Sequence, residues 1–202
     1  MIMIEQISLF NAGTSSQPRV LVFDLETLRS ADEVGGWSNI RDMGMACGVI
    51  HDSEDNQFHI YEEKEAQNLI AHLEKGSLVV GFNHVRFDYE VLRAYSDYDF
   101  NKLPSFDMLL EVKKILGHRL KLNSLVAATL GDTKSADGMQ SLRWVKEGRF
   151  DLIREYCRKD VEVTKRLFEH GVEKGFVAYE NYGNVVQVKV NWKLDQIAQA
   201  AQ

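Results

Sequence analysis

Only two of the 202 residues are cysteine, Cys47 and Cys157, and they lie far apart in apolar settings outside any metal-ligand spacing. That argues against a cysteine-based metal site and reads as two reduced thiols in the core of a cytosolic protein. No apolar run approaches the length of a membrane-spanning helix, and the opening Met1-Ile2-Met3-Ile4-Glu5 lacks the basic flank of a signal peptide. Repeats, low-complexity segments and candidate linkers are also missing, so one domain is expected. Positive charge is short as well: 24 Lys and Arg face 30 Asp and Glu, a formal net charge of -6. Coating nucleic acid non-specifically takes clustered cations, and this balance opposes it.

What is present is a globular composition, 45% hydrophobic and 27% charged, long enough for one sizeable core. The charge is uneven. Asp52, Glu54, Asp55, Glu62, Glu63 and Glu65 gather in one region, and Arg143, Lys146, Arg149, Arg154, Arg158 and Lys159 in another. An acidic back and a basic working face would suit a protein that meets nucleic acid at one cleft, although two solvated faces are the commoner explanation.

Residues 1–18 read as a lead-in, and a first strand is predicted at about 19–25, ending the apolar run Val20-Leu21-Val22-Phe23. A loop from Arg29 to Arg41 follows, in which Trp37 is expected to seal the loop onto the core rather than stack on a ligand. Met45–Ile50 and Gln57–Tyr61 read as a hairpin, Ala66–Lys75 as a helix and Leu78–Phe82 as a buried strand. A helix carrying Tyr89 to Tyr95 comes next. Ser105 or Asp107 should cap another through Leu116, and one more covers Asn123–Leu130, stopped by Gly131. Residues 131–138 look like a polar loop, about Asp151 to His170 a long helix, and Val185–Val190 a strand-like tail that could add an edge strand or an association surface. The order of elements gives an α/β fold, a mixed sheet flanked by helices.

Asp24 and Glu26 stand two apart at the end of the first strand, so both side chains leave one face. Crowded carboxylates at a core edge repel and lose hydration, and a hard divalent cation relieves both costs. Such a pair alone is weak, since about one is expected by chance in a chain this long. Asp160 falls within the apolar stripe of the last long helix, one turn after Tyr156, where an uncompensated carboxylate would be expensive. Asp88 follows the strand at 78–82, in a helix's first turn, where the macrodipole alone would favour it.

Together, Phe23-Asp24-Leu25-Glu26-Thr27, Asn83-His84-Val85-Arg86-Phe87-Asp88 and Tyr156-Cys157-Arg158-Lys159-Asp160-Val161 resemble the three motifs of the DEDD superfamily of 3′-5′ exonucleases. The second is similar to its form in the proofreading domain of family B DNA polymerases. Tyrosine four residues before the last aspartate matches the DEDDy branch; the histidine branch would need His where Glu155 stands. The resemblance covers about 19–170 and implies a ribonuclease H-like fold, with an exonuclease domain at 19–175 and an extension at 176–202.

It further implies that Asp24, Glu26, Asp88 and Asp160 hold two divalent ions, Mg²⁺ or Mn²⁺, and that Tyr156 orients the attacking water. The expected substrate is the 3′ end of single-stranded or frayed nucleic acid, DNA ahead of RNA, released as nucleoside 5′-monophosphates. Thr27, Leu28, Asn83 and Phe87 would contact or shape the terminal nucleotide's site. Arg86, Lys134, Arg143 and Arg158 are read as solvated surface, with phosphate contact as the alternative. Asp107 is read as a helix cap, His84 as a surface residue, and the other histidines show no ligand spacing. No polymerase or helicase region follows, so the protein is expected either to stand alone or to work in trans with a partner such as a polymerase or helicase. Other readings are a catalytically silent nucleic-acid-binding or partner-recruiting module, and an endonuclease on the same fold.

Overall fold

The computed structural model describes residues 18–132 and 138–200. Strand β1, Val20–Thr27, is antiparallel to β2, Met45–Asp52, which is antiparallel to β3, Gln57–Glu62. Helix α1, Ala66–Leu73, carries the chain back to β4, Leu78–Gly81, parallel to β1, and β5, Ser105–Asp107, is parallel to β4. The five-stranded order is β3-β2-β1-β4-β5, the mixed α/β sheet that the sequence predicts. Helices α2 (Asp88–Leu92), α3 (Met108–Leu116), α4 (Leu122–Leu130), α5 (Gly138–Lys146) and α6 (Phe150–Lys174) follow. A two-stranded hairpin, β6 (Phe176–Asn181) and β7 (Asn184–Lys189), and helix α7 (Leu194–Ala200) complete the chain.

Alternation along β1 sorts its residues between two cores. Leu21, Phe23 and Leu25 join Leu69 and Leu73 of α1 and Val91 and Leu92 of α2. Val20 and Val22 join Ile153, Cys157, Val161, Leu167 and Phe168 of α6 on the other face. Asp24 and Glu26 have the parity of Val20 and Val22, so the strand carries its apolar side chains under α6 and its carboxylates out of the end of that same face. The ladder with β2 shifts register between Glu26 and Thr27, an irregularity of the kind that re-aims side chains beside functional sites.

Several expectations are corrected. Strand β5 was not predicted: after Pro104 only three residues pair, too few to show alternation, though Asp107 caps α3 as expected, accepting from the Leu109 and Leu110 N–H groups. Helix α2 stops at Leu92 and leaves Tyr95 outside. Helix α5 occupies a stretch with no predicted element. The tail adds no edge to the main sheet; it forms its own hairpin, whose Val177, Tyr179 and Val188 enter the α6 core. Gly171 makes the docking possible, since a Cβ there would lie 2.0 Å from Trp192 Cε3. The lead-in predicted at 1–18 and the loop at 131–138 fall mostly outside the described residues. Among the described residues no helix is long and apolar enough to cross a membrane.

Candidate active site

Helix α6 lies across β1 and β2, and its buried stripe brings Asp160 to the end of β1. One oxygen each from Asp24, Glu26 and Asp160 lies within 4.8 Å of the others. Burial raises the Asp24 carboxyl well above the usual range, and the nearby Asp88, Asp160 and Glu26 charges push it further the same way. Glu26 is pushed up to about 8 by burial, although Ser141 opposes the rise by donating its hydroxyl to Glu26 Oε2 at 2.6 Å. Lysine and arginine form no salt bridge with Asp24, Glu26 or Asp88 among the described residues.

Asp88 lines the same cavity but stands apart from the trio. Its Oδ1 accepts the Leu25 N–H at 3.1 Å, which ties α2 to β1, and burial raises its carboxyl to about 7. The Tyr156 hydroxyl donates to Asp160, and burial together with the Asp160 and Glu26 charges raises its pKa, so the phenol stays protonated. Cys157 sits beneath, its thiol 3.5 Å from the Asp24 carbonyl and 3.8 Å from Asp24 Oδ2. Burial and the adjacent Cys47 keep that thiol protonated, so the two cysteines meet in the fold as free thiols.

The carboxylates open into a cavity of about 620 Å³. Thr27, Asn83, Phe87 and Tyr156 line it, whereas Leu28 does not: its N–H is given to the Gly44 carbonyl at 3.0 Å and its side chain packs on the core. Trp37, Met139, Ser141 and Leu142 also line it and were not among the predicted site residues. The apolar spacing of Met139, Leu142 and Val145 was the available signal for α5 and hence for Ser141. Trp37 does not seal its loop; the indole is 70% exposed. Asn83 has φ 69, a left-handed conformation pinned by its N–H to Asp107 Oδ1 at 2.8 Å and its Oδ1 to Arg119 Nη2 at 2.7 Å.

His84, expected at the surface, is buried to 1%. It fits because Gly81 is opposite, where a Cβ would lie 2.7 Å from His84 Nδ1, and burial lowers its pKa to about 4. The two charged regions do not form separate faces, since Arg154 of the basic group pairs with Glu62 of the acidic group at 3.2 Å. Arg158 pairs with Glu162 at 3.5 Å and lies over the Phe58 ring. Lys134 lies outside the described residues.

The histidines supply a second cluster despite their unpromising spacing, with His59 and His72 meeting Asp52 at the far end of β2. Asp52 is already saturated. It accepts from Arg19 through both oxygens, from the Glu54 N–H at 2.9 Å and from His72 Nε2 at 2.9 Å. A carboxylate only accepts, so His72 donates from Nε2, and its Nδ1 shares a hydrogen bond with the Tyr61 hydroxyl 2.7 Å away. This network closes the hairpin onto α1.

A family model described as RNase_H superfamily matches residues 21–172, most of the chain. The chain belongs to the RNase_H superfamily. No curated protein matches it. Among solved structures it is similar to the family B DNA polymerase from the hyperthermophilic archaeon Pyrobaculum calidifontis, at 17% identity and a TM-score of 0.59. The match covers 80% of this chain and 25% of the polymerase, so the likeness shows the fold and the chain spans about a quarter of that protein. In this RNase_H member the donor set at the end of β1, three hard oxygens within 4.8 Å, fits divalent ions such as Mg²⁺ or Mn²⁺.

Proposed function

We propose that this RNase_H-superfamily chain is a metal-dependent 3′-5′ exonuclease that trims single-stranded or frayed ends, DNA ahead of RNA, to nucleoside 5′-monophosphates. The observation that carries the reading is the convergence of Asp24, Glu26 and Asp160 from β1 and α6, with the Tyr156 hydroxyl on Asp160. Asp24, Glu26, Asp88 and Asp160 would hold two divalent ions, which when bound supply charge neutralisation at the scissile phosphate and a lowered pKa for the attacking water. Tyr156 keeps its proton, so its role is to position the water rather than to abstract from it. Ser141 holds Glu26 in one orientation, and the Leu25 N–H does the same for Asp88. Asn83 and Phe87 form the wall against which the terminal nucleotide rests. A polymerase or helicase acting in trans would deliver the frayed end.

The test uses 5′-labelled DNA and RNA oligonucleotides with Mg²⁺, Mn²⁺ or chelator, beside a closed single-stranded DNA circle. The expected result is a metal-dependent ladder shortening from the 3′ end, an intact circle, and no ladder from Asp160→Asn. Cutting of the circle would make the protein an endonuclease. Absence of any product with Mn²⁺ would leave a binding module.

A further inference from the structure

A second cavity of about 660 Å³ adjoins the carboxylate-lined one, and the two share Trp37, Asn83 and Phe87 as a common wall. Its lining includes Arg41, Arg86 and Arg119, a local surplus of cations in a chain of net charge -6. Of the two acids there, Glu90 is neutralised by Arg41 at 3.3 Å and Arg93 at 2.7 Å, leaving Asp42. Arg86 is exposed and forms no ion pair among the described residues. Arg119 spends one donor on Asn83 and keeps the rest of its fork.

Trp37 is the other unusual feature. Its loop is pinned by Gly36 N–H to the Ala31 carbonyl at 2.7 Å and by Asn39 Nδ2 to the Val34 carbonyl at 2.7 Å. Gly35, at φ 83, and Gly36, at φ 121, shape the turn just before it. A fixed backbone thus presents a 70% exposed indole whose ring centre is 6.2 Å from that of Phe87, at 59° to it. Fixed aromatic faces beside cations form the usual platform for a single strand, because every base has a face to stack and every linkage a phosphate.

We propose that this cavity is a subsite for the nucleotides immediately 5′ of the terminal one, with a base stacked on Trp37 and phosphates met by Arg86 and Arg119. It rests on the exonuclease reading, which puts the terminal nucleotide over the carboxylates. The wall of Trp37, Asn83 and Phe87 then separates the terminal nucleotide from its neighbour, and single-stranded DNA is the occupant.

Two measurements test it separately from turnover. Anisotropy of 5′-fluorescein-labelled octathymidylate is titrated with the full chain in chelator, so that binding is read without hydrolysis. Trp37→Ala should weaken binding about tenfold and Trp37→Phe less than about threefold. Arg86→Gln should lower the slope of log affinity against log salt by about 0.7, one phosphate contact, which a purely structural role would not do. Unchanged affinity in Trp37→Ala, or an unchanged slope in Arg86→Gln, overturns the subsite whatever the turnover data show. In the second measurement, kcat/KM is compared for the octamer and for the methyl ester of thymidine 5′-monophosphate, whose leaving group is too small to cross the wall. Trp37→Ala should lose about ten times more on the octamer than on the ester; equal losses would make Trp37 a wall of the carboxylate site only. Should the wild-type chain hydrolyse neither, the exonuclease reading fails and the anisotropy alone decides the subsite.

Discussion

The two ends of the β1–β2 pair each hold buried carboxylates and treat them in opposite ways. At one end Asp52 is 1% exposed, and burial alone would raise its pKa. The Arg19 guanidinium, the Glu54 N–H and His72 outweigh that and hold it at about 2. At the other end Asp88 is 3% exposed and Asp24 and Glu26 are half-buried at the cavity's edge, but no lysine or arginine answers them among the described residues, and all three are pushed up. Where the fold needs a buried acid for structure it supplies the counter-charge itself. Where the counter-charge is withheld, the site is left for something that arrives from solution, which is how perturbed carboxylates come to mark function.

The largest effects should come from removing the charge at each end in turn. Asp24→Asn should lower single-turnover hydrolysis by about a thousandfold or more, the scale of several kcal/mol of charge stabilisation lost. The same change should raise the midpoint of urea unfolding for the metal-free protein, because it removes a repelling group. Asp52→Asn should do the reverse, leaving the rate per folded molecule unchanged and costing about 3 kcal/mol by taking the carboxylate from Arg19 and His72, with Glu54 alone still paired to Arg19. Equal destabilisation in both variants would break the comparison, for it would mean that Asp24 too is compensated from within.

Next in size is the dependence on pH, whose sign differs between the ends. Glu26 and Asp88 bind protons more tightly folded than unfolded, so metal-free stability should fall as pH rises from about 4 through 7 and 8, where these groups ionise. Asp52 binds its proton more weakly when folded. Its contribution is therefore present above about pH 4 and lost as pH falls toward 2. Thermal midpoints in chelator should accordingly peak near about pH 5, and Mn²⁺ should lift the alkaline limb while leaving the acid limb alone. An alkaline limb that stays level in chelator would sink the account of uncompensated charge.

The sequence makes one end of this comparison more legible than the other. Asp24 and Glu26 could be read because period-two alternation runs straight through from Val20 and Val22, and Asp160 because it interrupts an apolar stripe on α6. Both signals are local. The saturation of Asp52 was invisible, since Arg19 is 33 residues away and His72 is 20 away on another element. His84 looked like surface because nothing local reveals that Gly81 makes room for it. Strand β5, at three residues, is shorter than the period needed to recognise a strand. Trp37 was misread by a fair general rule, that aromatics seal loops, which the pinned loop beside it overrides. What escaped was set by partners distant in sequence at Asp52, and at His84, Trp37 and β5 by packing and pairing that no residue spacing encodes.

The smallest effect sharpens the comparison most, because Ser141 is a neutral group set against the raised Glu26. Its hydroxyl donates to Glu26 Oε2 at 2.6 Å and pulls that carboxyl down while burial drives it up. Ser141→Ala removes that opposing hydrogen bond, so Glu26 should hold its proton to higher pH. The acid limb of the pH–rate profile should move upward, and the rate near pH 7 should fall about fivefold, the worth of roughly 1 kcal/mol from one hydrogen bond. At pH 9, where Glu26 is ionised either way, the deficit should narrow. A loss that is the same at both pH values would mean that Ser141 only orients Glu26, and the partial compensation of this end would then be steric rather than electrostatic.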